Sequence, residues 1–115
     1  MTFAHIIDAH LDAWNSPSGP AREKAIAEIY TDDVFVGEPA AALTGHAGVE
    51  AAIAALQDQL PNTVLARTCP VQVSQDLVTY TWQLGPADGP AVATGRDVLI
   101  IRDDKVSSLY VLIDE

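Results

Sequence analysis

Three side chains in this 115-residue sequence combine a type and a setting suited to moving protons. Glu38 follows the β-type run Val34-Phe35-Val36 and directly precedes Pro39. A proline there stops further strand pairing, so the carboxylate stands at a strand end, where the chain turns and a cavity can open. Asp97 lies inside the run Ala91–Arg102 and shares its alternation with Ala93, Leu99 and Ile101. A carboxylate between apolar neighbours in mid-strand must be paired, protonated or wet. His10 falls within the helical stripe of Phe3, Ile6, Ile7 and Trp14, while His5 falls outside it. Burial raises a carboxylate's basicity toward neutral pH, and an imidazole donates or exchanges a proton near that pH. The expected chemistry is proton transfer, provided Glu38 and Asp97 share one apolar pocket.

Other chemistries find little support. Cys69 is the single cysteine and has no CxxC partner or neighbouring histidine, which excludes an internal disulfide and disfavours a nucleophilic role. No His, Asp or Glu set has metal-ligand spacing, and no glycine-rich loop joins a strand to a helix, so neither metal nor cofactor is expected. The formal charge of −10, with six Lys and Arg, argues against nucleic acid and against anionic membrane surfaces. The start of the chain lacks a basic region before its apolar residues, and no apolar run is long enough to span a bilayer. A cytoplasmic protein is expected.

The elements that must position these residues come in two blocks. Phe3, Ile7, Leu11 and Trp14 mark a first helix, which the breakers Asn15-Ser16-Pro17-Ser18-Gly19-Pro20 end. Ser18 or Gly19 caps a second helix running through Ala25, Ile26, Ile29 and Tyr30, with Pro20 in its first turn. Asp32 and Asp33 read as solvated turn residues. Thr44-Gly45 opens a third helix with the stripe Val49, Ile53, Leu56 and Leu60, stopped by Pro61; His46 at its start is expected to be exposed. From Thr63 the period becomes two. Val71 and Val73, then Leu77–Leu84, Ala91–Arg102 and Val106–Ile113 read as strands with short turns, hence antiparallel. The prediction is one α+β domain over 1–115, with three N-terminal helices packed on a strongly curved antiparallel sheet, a cone-shaped α+β barrel. Trp14, Phe35, Tyr80 and Trp82 are candidate pocket walls, and Tyr110 can reach the cavity with its hydroxyl. Val78, Tyr80 and Trp82, or Val92, Val98 and Ile100, are candidates for an apolar outer patch that pairs two copies.

The ordered pieces A-W-N, I-A-E-I-Y-T-D-D-V-F-V-G-E-P, L-T-G-H-A-G-V-E-A-A-I, T-Y-T-W-Q-L, T-G-R-D-V-L-I-I-R-D-D-K-V and Y-V-L-I-D resemble the nuclear transport factor two-like superfamily. The likeness is greatest to its SnoaL-like and ketosteroid isomerase-like branch. It implies a curved sheet wrapped around helices, with a pocket in its open end. Glu38-Pro39 matches the isomerases' general base, with glutamate for aspartate. Asp97 matches a pocket aspartic acid that donates a hydrogen bond to the enolate oxygen, and His10 stands where those enzymes carry an oxyanion-binding tyrosine. The resemblance thus implies a cofactor-independent isomerase, cyclase or dehydratase that takes a proton next to the carbonyl of a small hydrophobic molecule. A pocket without chemistry and a dimeric interaction module are the alternatives, and a homodimer suits all three. The epoxide hydrolases of this fold need an arginine beside their aspartates. Arg96 and Asp97 are adjacent and point to opposite faces of a regular strand.

Overall fold

A computed structural model describes residues 2–114. Helix α1 (Phe3–Trp14) starts at Thr2, whose hydroxyl accepts the His5 backbone N–H at 3.2 Å. It buries Ile6, Ile7, His10, Leu11 and Trp14. Asn15 ends it and ties it to the sheet. Its side-chain amide donates to the Leu65 carbonyl at 2.9 Å, and its side-chain oxygen accepts the Leu65 N–H at 2.8 Å. Helix α2 (Pro20–Ile29) follows Gly19, which holds φ 145°, open to glycine and costly for other residues. Arg22 on α2 is buried, with its guanidinium on Glu50, on the Gln57 side chain and on the Ser16 carbonyl. One side chain thereby pins α2 to helix α3 (Gly45–Gln59) and to the loop before it.

The strands are β1 (Tyr30–Glu38), β2 (Ala41–Thr44), β3 (Val64–Arg67), β4 (Gln72–Ser74), β5 (Leu77–Gly85), β6 (Ala93–Arg102) and β7 (Lys105–Ile113). They form one curved, unclosed sheet in the order β2-β1-β7-β6-β5-β3, with β4 also on β5. The expected helices and the run of antiparallel hairpins are present, with one difference: β1 pairs parallel to β7, so the sheet is mixed. The irregular register between Tyr30 and Phe35, and a second one between Ile100 and Ile101, bend the sheet around the helices. The β6–β7 turn holds Asp103 and Asp104 at φ 53° and 63°, the left-handed conformations a tight hairpin requires.

Several local expectations change. Tyr30 opens β1 rather than closing α2: its backbone is already extended, at φ −109° and ψ 147°. Asp32 and Asp33 are exposed as expected but lie within the irregular part of β1, not in a turn. Ala41–Thr44 adds an edge strand that pairs with β1 across the Pro39 turn. His46 is partly buried and donates from Nε2 to the Tyr30 carbonyl at 2.9 Å. Val78, Tyr80 and Trp82 face the core and so leave the outer patch, while Val92 is exposed just before the start of β6. Among the described residues no helix is long and apolar enough to cross a membrane.

Candidate functional site

The cavity opens where the ends of β1, β5 and β7 and the start of β6 meet the ends of α1 and α3. It encloses about 460 Å³ of empty space, counting its mouth. Leu56, Leu65, Leu84, Val111 and Ile113 supply aliphatic wall, and Trp14 and Trp82 supply two indoles. The polar lining is the carboxyl groups of Glu38 and Asp97. Glu38 reaches the mouth because β1 ends there at Pro39. Asp97 reaches the floor because its parity on β6 is that of Leu99 and Ile101, both buried. Asp97 is 4% exposed.

Behind Asp97 runs a chain of buried side chains. Tyr80, directly opposite on β5, donates its hydroxyl to Asp97 Oδ2 at 2.7 Å. His10 Nε2 stands 3.4 Å from the same oxygen. His10 Nδ1 is 2.5 Å from the Tyr30 hydroxyl, which also lies 3.1 Å from Trp14 Nε1. The direction of this chain follows from its last member. An indole N–H can only donate, so the Tyr30 oxygen accepts from Trp14. The Tyr30 hydroxyl hydrogen then finds its acceptor at His10 Nδ1. The proton of neutral His10 is therefore on Nε2, facing Asp97. Both neighbours of Asp97 thus direct donors at Oδ2, and Oδ1 has no donor among the described residues.

Burial, and then the charge of Asp97, raise the Glu38 carboxyl above its usual range. Burial pushes the Tyr30 hydroxyl up, and burial with the nearby Asp97 charge pushes the Tyr80 hydroxyl up. Both tyrosines stay neutral, and both keep the hydrogen they donate.

The structure brings Glu38, Asp97, Trp14 and Trp82 together around one cavity. His10 and Tyr80 stand one layer back, in contact with Asp97 rather than lining the space. Phe35 and Tyr110 leave the candidate wall. Their neighbours Val34, Val36 and Leu109 are fully buried, so alternation turns Phe35 and Tyr110 to the convex face, where their rings pack 5.6 Å apart. Tyr110 is 46% exposed. The sequence reading missed Tyr30 as a network member, and Val111 and Ile113 as wall. The parity of β7 with buried Leu109 was the available signal for the last two. Trp82 Nε1 is buried and has no acceptor among the described residues. No group of three or more His, Cys, Asp or Glu among those residues has an arrangement able to hold a metal ion. Cys69 stands outside the cavity lining and accepts the Thr81 N–H on its sulfur at 3.2 Å.

The SnoaL-like domain family matches residues 7–109. A candidate isomerase of the SnoaL-like family from Agrobacterium tumefaciens superposes with a TM-score of 0.89 at 20% identity, over 97% of each chain. A candidate polyketide cyclase from Sinorhizobium meliloti gives 0.74 at 18% identity over 93% of each. A protein of ketosteroid isomerase-like fold from Catenulispora acidiphila, in complex with trimethylamine, gives 0.77 at 20% identity, covering 96% of this chain and 85% of its own. At these identities the likeness is one of fold. No curated protein matches the chain significantly.

Proposed function

The chain belongs to the SnoaL-like domain family, and on that premise we propose that it is an acid–base catalyst for a small hydrophobic carbonyl compound. The observation that carries this reading is the pairing of two unlike carboxyl groups in one apolar cavity. Glu38, half-buried at the mouth and raised in proton affinity, is the base that takes the proton next to the carbonyl. Asp97, fixed from behind by Tyr80 and His10, offers Oδ1 to take or return a proton on the other side of the ligand. Carboxyl groups whose environments differ in this way divide acid and base roles between them. Isomerisation, aldol-type cyclisation and dehydration all begin with this step.

The test is proton exchange, which needs no knowledge of the natural substrate. A panel of small cyclic ketones, cyclohexanone first, is incubated in D₂O, and loss of the α-proton signal is followed by NMR. The wild-type chain is expected to accelerate exchange above buffer, and Glu38→Gln to remove about two powers of ten of that acceleration. Exchange that persists unchanged in Glu38→Gln and in Asp97→Asn, or a wild-type chain that does not accelerate exchange above buffer, defeats the proposal.

A further inference from the structure

The cavity sets two acids in an apolar space and gives them no base. Its polar lining is the carboxyl groups of Glu38 and Asp97, and no basic side chain is among its walls. The chain's six Lys and Arg are engaged elsewhere. Arg22 holds Glu50, Arg102 donates to Asp33 at 2.7 Å, and Lys24 lies 4.0 Å from Glu28. Arg67, Arg96 and Lys105 donate to the Cys69 carbonyl, the Thr79 hydroxyl and the Ala27 carbonyl. His10 accepts the Tyr30 hydroxyl at Nδ1, the arrangement of an uncharged ring.

Asp97 keeps an open acceptor in that space. Tyr80 and His10 both reach Oδ2, and Oδ1 has no donor among the described residues. Nor is Oδ1 sealed: the side-chain atoms there that are both enclosed and unpartnered are Thr31 Oγ1 and Trp82 Nε1. In a residue 4% exposed that lines the cavity, the surface Oδ1 keeps is cavity surface. A carboxyl oxygen buried without a donor is costly, and a charged donor relieves it most. Glu38 stands close enough for the Asp97 charge to act on it, so a cation in the cavity is attracted by both. The remaining wall is aliphatic or indole, and an indole attracts a cation more than an aliphatic side chain does. The molecule that suits this space has an apolar body and a positive head.

We propose that the ligand of this cavity is a small alkylammonium, its body against the aliphatic wall and its N–H donated to Asp97 Oδ1. The assignment rests on the acid–base reading above for its site, and it gives the substrate of that reading a protonated amino group. The same two acids turn away carboxylates and phosphates, whose charge both repel.

Three probes of one shape separate the outcomes: cyclohexylammonium, cyclohexanol and cyclohexanecarboxylate, at neutral pH a cation, a neutral donor and an anion. Binding is followed by NMR through the methyl signals of Leu84 and Val111, which lie in the wall. The ammonium is expected to bind about tenfold or more tighter than the alcohol, the worth of a charged over a neutral hydrogen bond. The carboxylate is expected to leave the methyls in place. Asp97→Asn should weaken the ammonium about tenfold and the alcohol little. A second reading uses the unaltered chain: with the ammonium bound, the ¹³C carboxyl signal of Glu38 should titrate at lower pH, because a positive charge favours its ionised form. The assignment is overturned if the alcohol or the carboxylate binds as tightly as the ammonium, if the ammonium shifts no wall methyl, or if the Glu38 titration stays in place. An ammonium preference that survives Asp97→Asn in a folded chain overturns it too. Exchange on cyclohexanone without any ammonium preference rejects this assignment and keeps the proposed function. A wall response that prefers the ammonium, in a chain that accelerates no exchange, keeps the ligand class and rejects the acid–base step.

Discussion

Replacing Tyr30 by phenylalanine removes one oxygen and leaves two buried groups without partners. Trp14 Nε1 loses its acceptor, and His10 Nδ1 loses its donor. Each unpaired buried group costs about 1–3 kcal/mol, partly offset because the hydroxyl itself no longer needs burying. The expected loss is about 2–4 kcal/mol. Tyr80→Phe is the internal control. It removes one of two donors from Asp97 Oδ2, leaves His10 in place and strands no donor, so about 1 kcal/mol is expected. Urea denaturation reads both. With a slope of about 1–3 kcal/mol per molar urea, a 3 kcal/mol loss lowers the midpoint by about 1–3 M, with the slope unchanged. Because Trp14 acts through the Tyr30 oxygen, Trp14→Phe and Tyr30→Phe should be non-additive by about 1 kcal/mol or more. The ¹⁵N shifts of the His10 ring should place the proton on Nε2 in the wild type. Tyr30→Phe costing no more than Tyr80→Phe, additive tryptophan and tyrosine changes, or an Nδ1–H tautomer would each refute the directed chain.

Two other perturbations test the site. A raised carboxyl in the folded state means that the folded chain holds its Glu38 proton to higher pH than the unfolded chain. Stability therefore falls as pH rises from the ordinary glutamate value of 4.5 through the folded value. Glu38→Gln should raise the melting temperature at pH 7, and the gain should vanish below about pH 4; a gain independent of pH would contradict the electrostatic origin. Gly95→Ala places a methyl 2.1 Å from the Leu112 carbonyl oxygen and 2.4 Å from the Trp82 ring. It should destabilise the chain by about 1–3 kcal/mol and alter the near-UV circular dichroism of tryptophan. Unchanged spectra and stability would show that the indole does not depend on that bare backbone.

Period and punctuation made most of the architecture legible. The stripe of α1, the Pro20 start of α2, the Pro61 stop of α3 and the turns between the last strands are all local signals, and all appear where the residues put them. Asp97 was legible because parity with Leu99 and Ile101 fixes its face once those two are known to be inside. Tyr30 was not. Its spacing from Ile26 suits a helix, and a hydroxyl bond to a side chain twenty positions away leaves no mark on local pattern. Phe35 shows the limit of parity. Alternation sorts β1 into two sets, and the smaller Val34 and Val36, not the aromatic Phe35, hold the core. Ala41–Thr44 is short, mostly exposed and partnered by one strand, and alanine has little preference for strands, so its residues did not announce one.

The place of β7 in the sheet has a consequence for biosynthesis. Residues 105–113 fill the slot between β1 and β6, and the parallel β1–β7 contact joins segments some seventy residues apart. A nascent chain cannot complete this sheet while residues 105–113 remain inside the ribosome. Until they emerge, β1 and β6 each present an unpaired edge, and the long loop that must close makes the final docking slow. Chaperone engagement, or self-association, would fall in that interval.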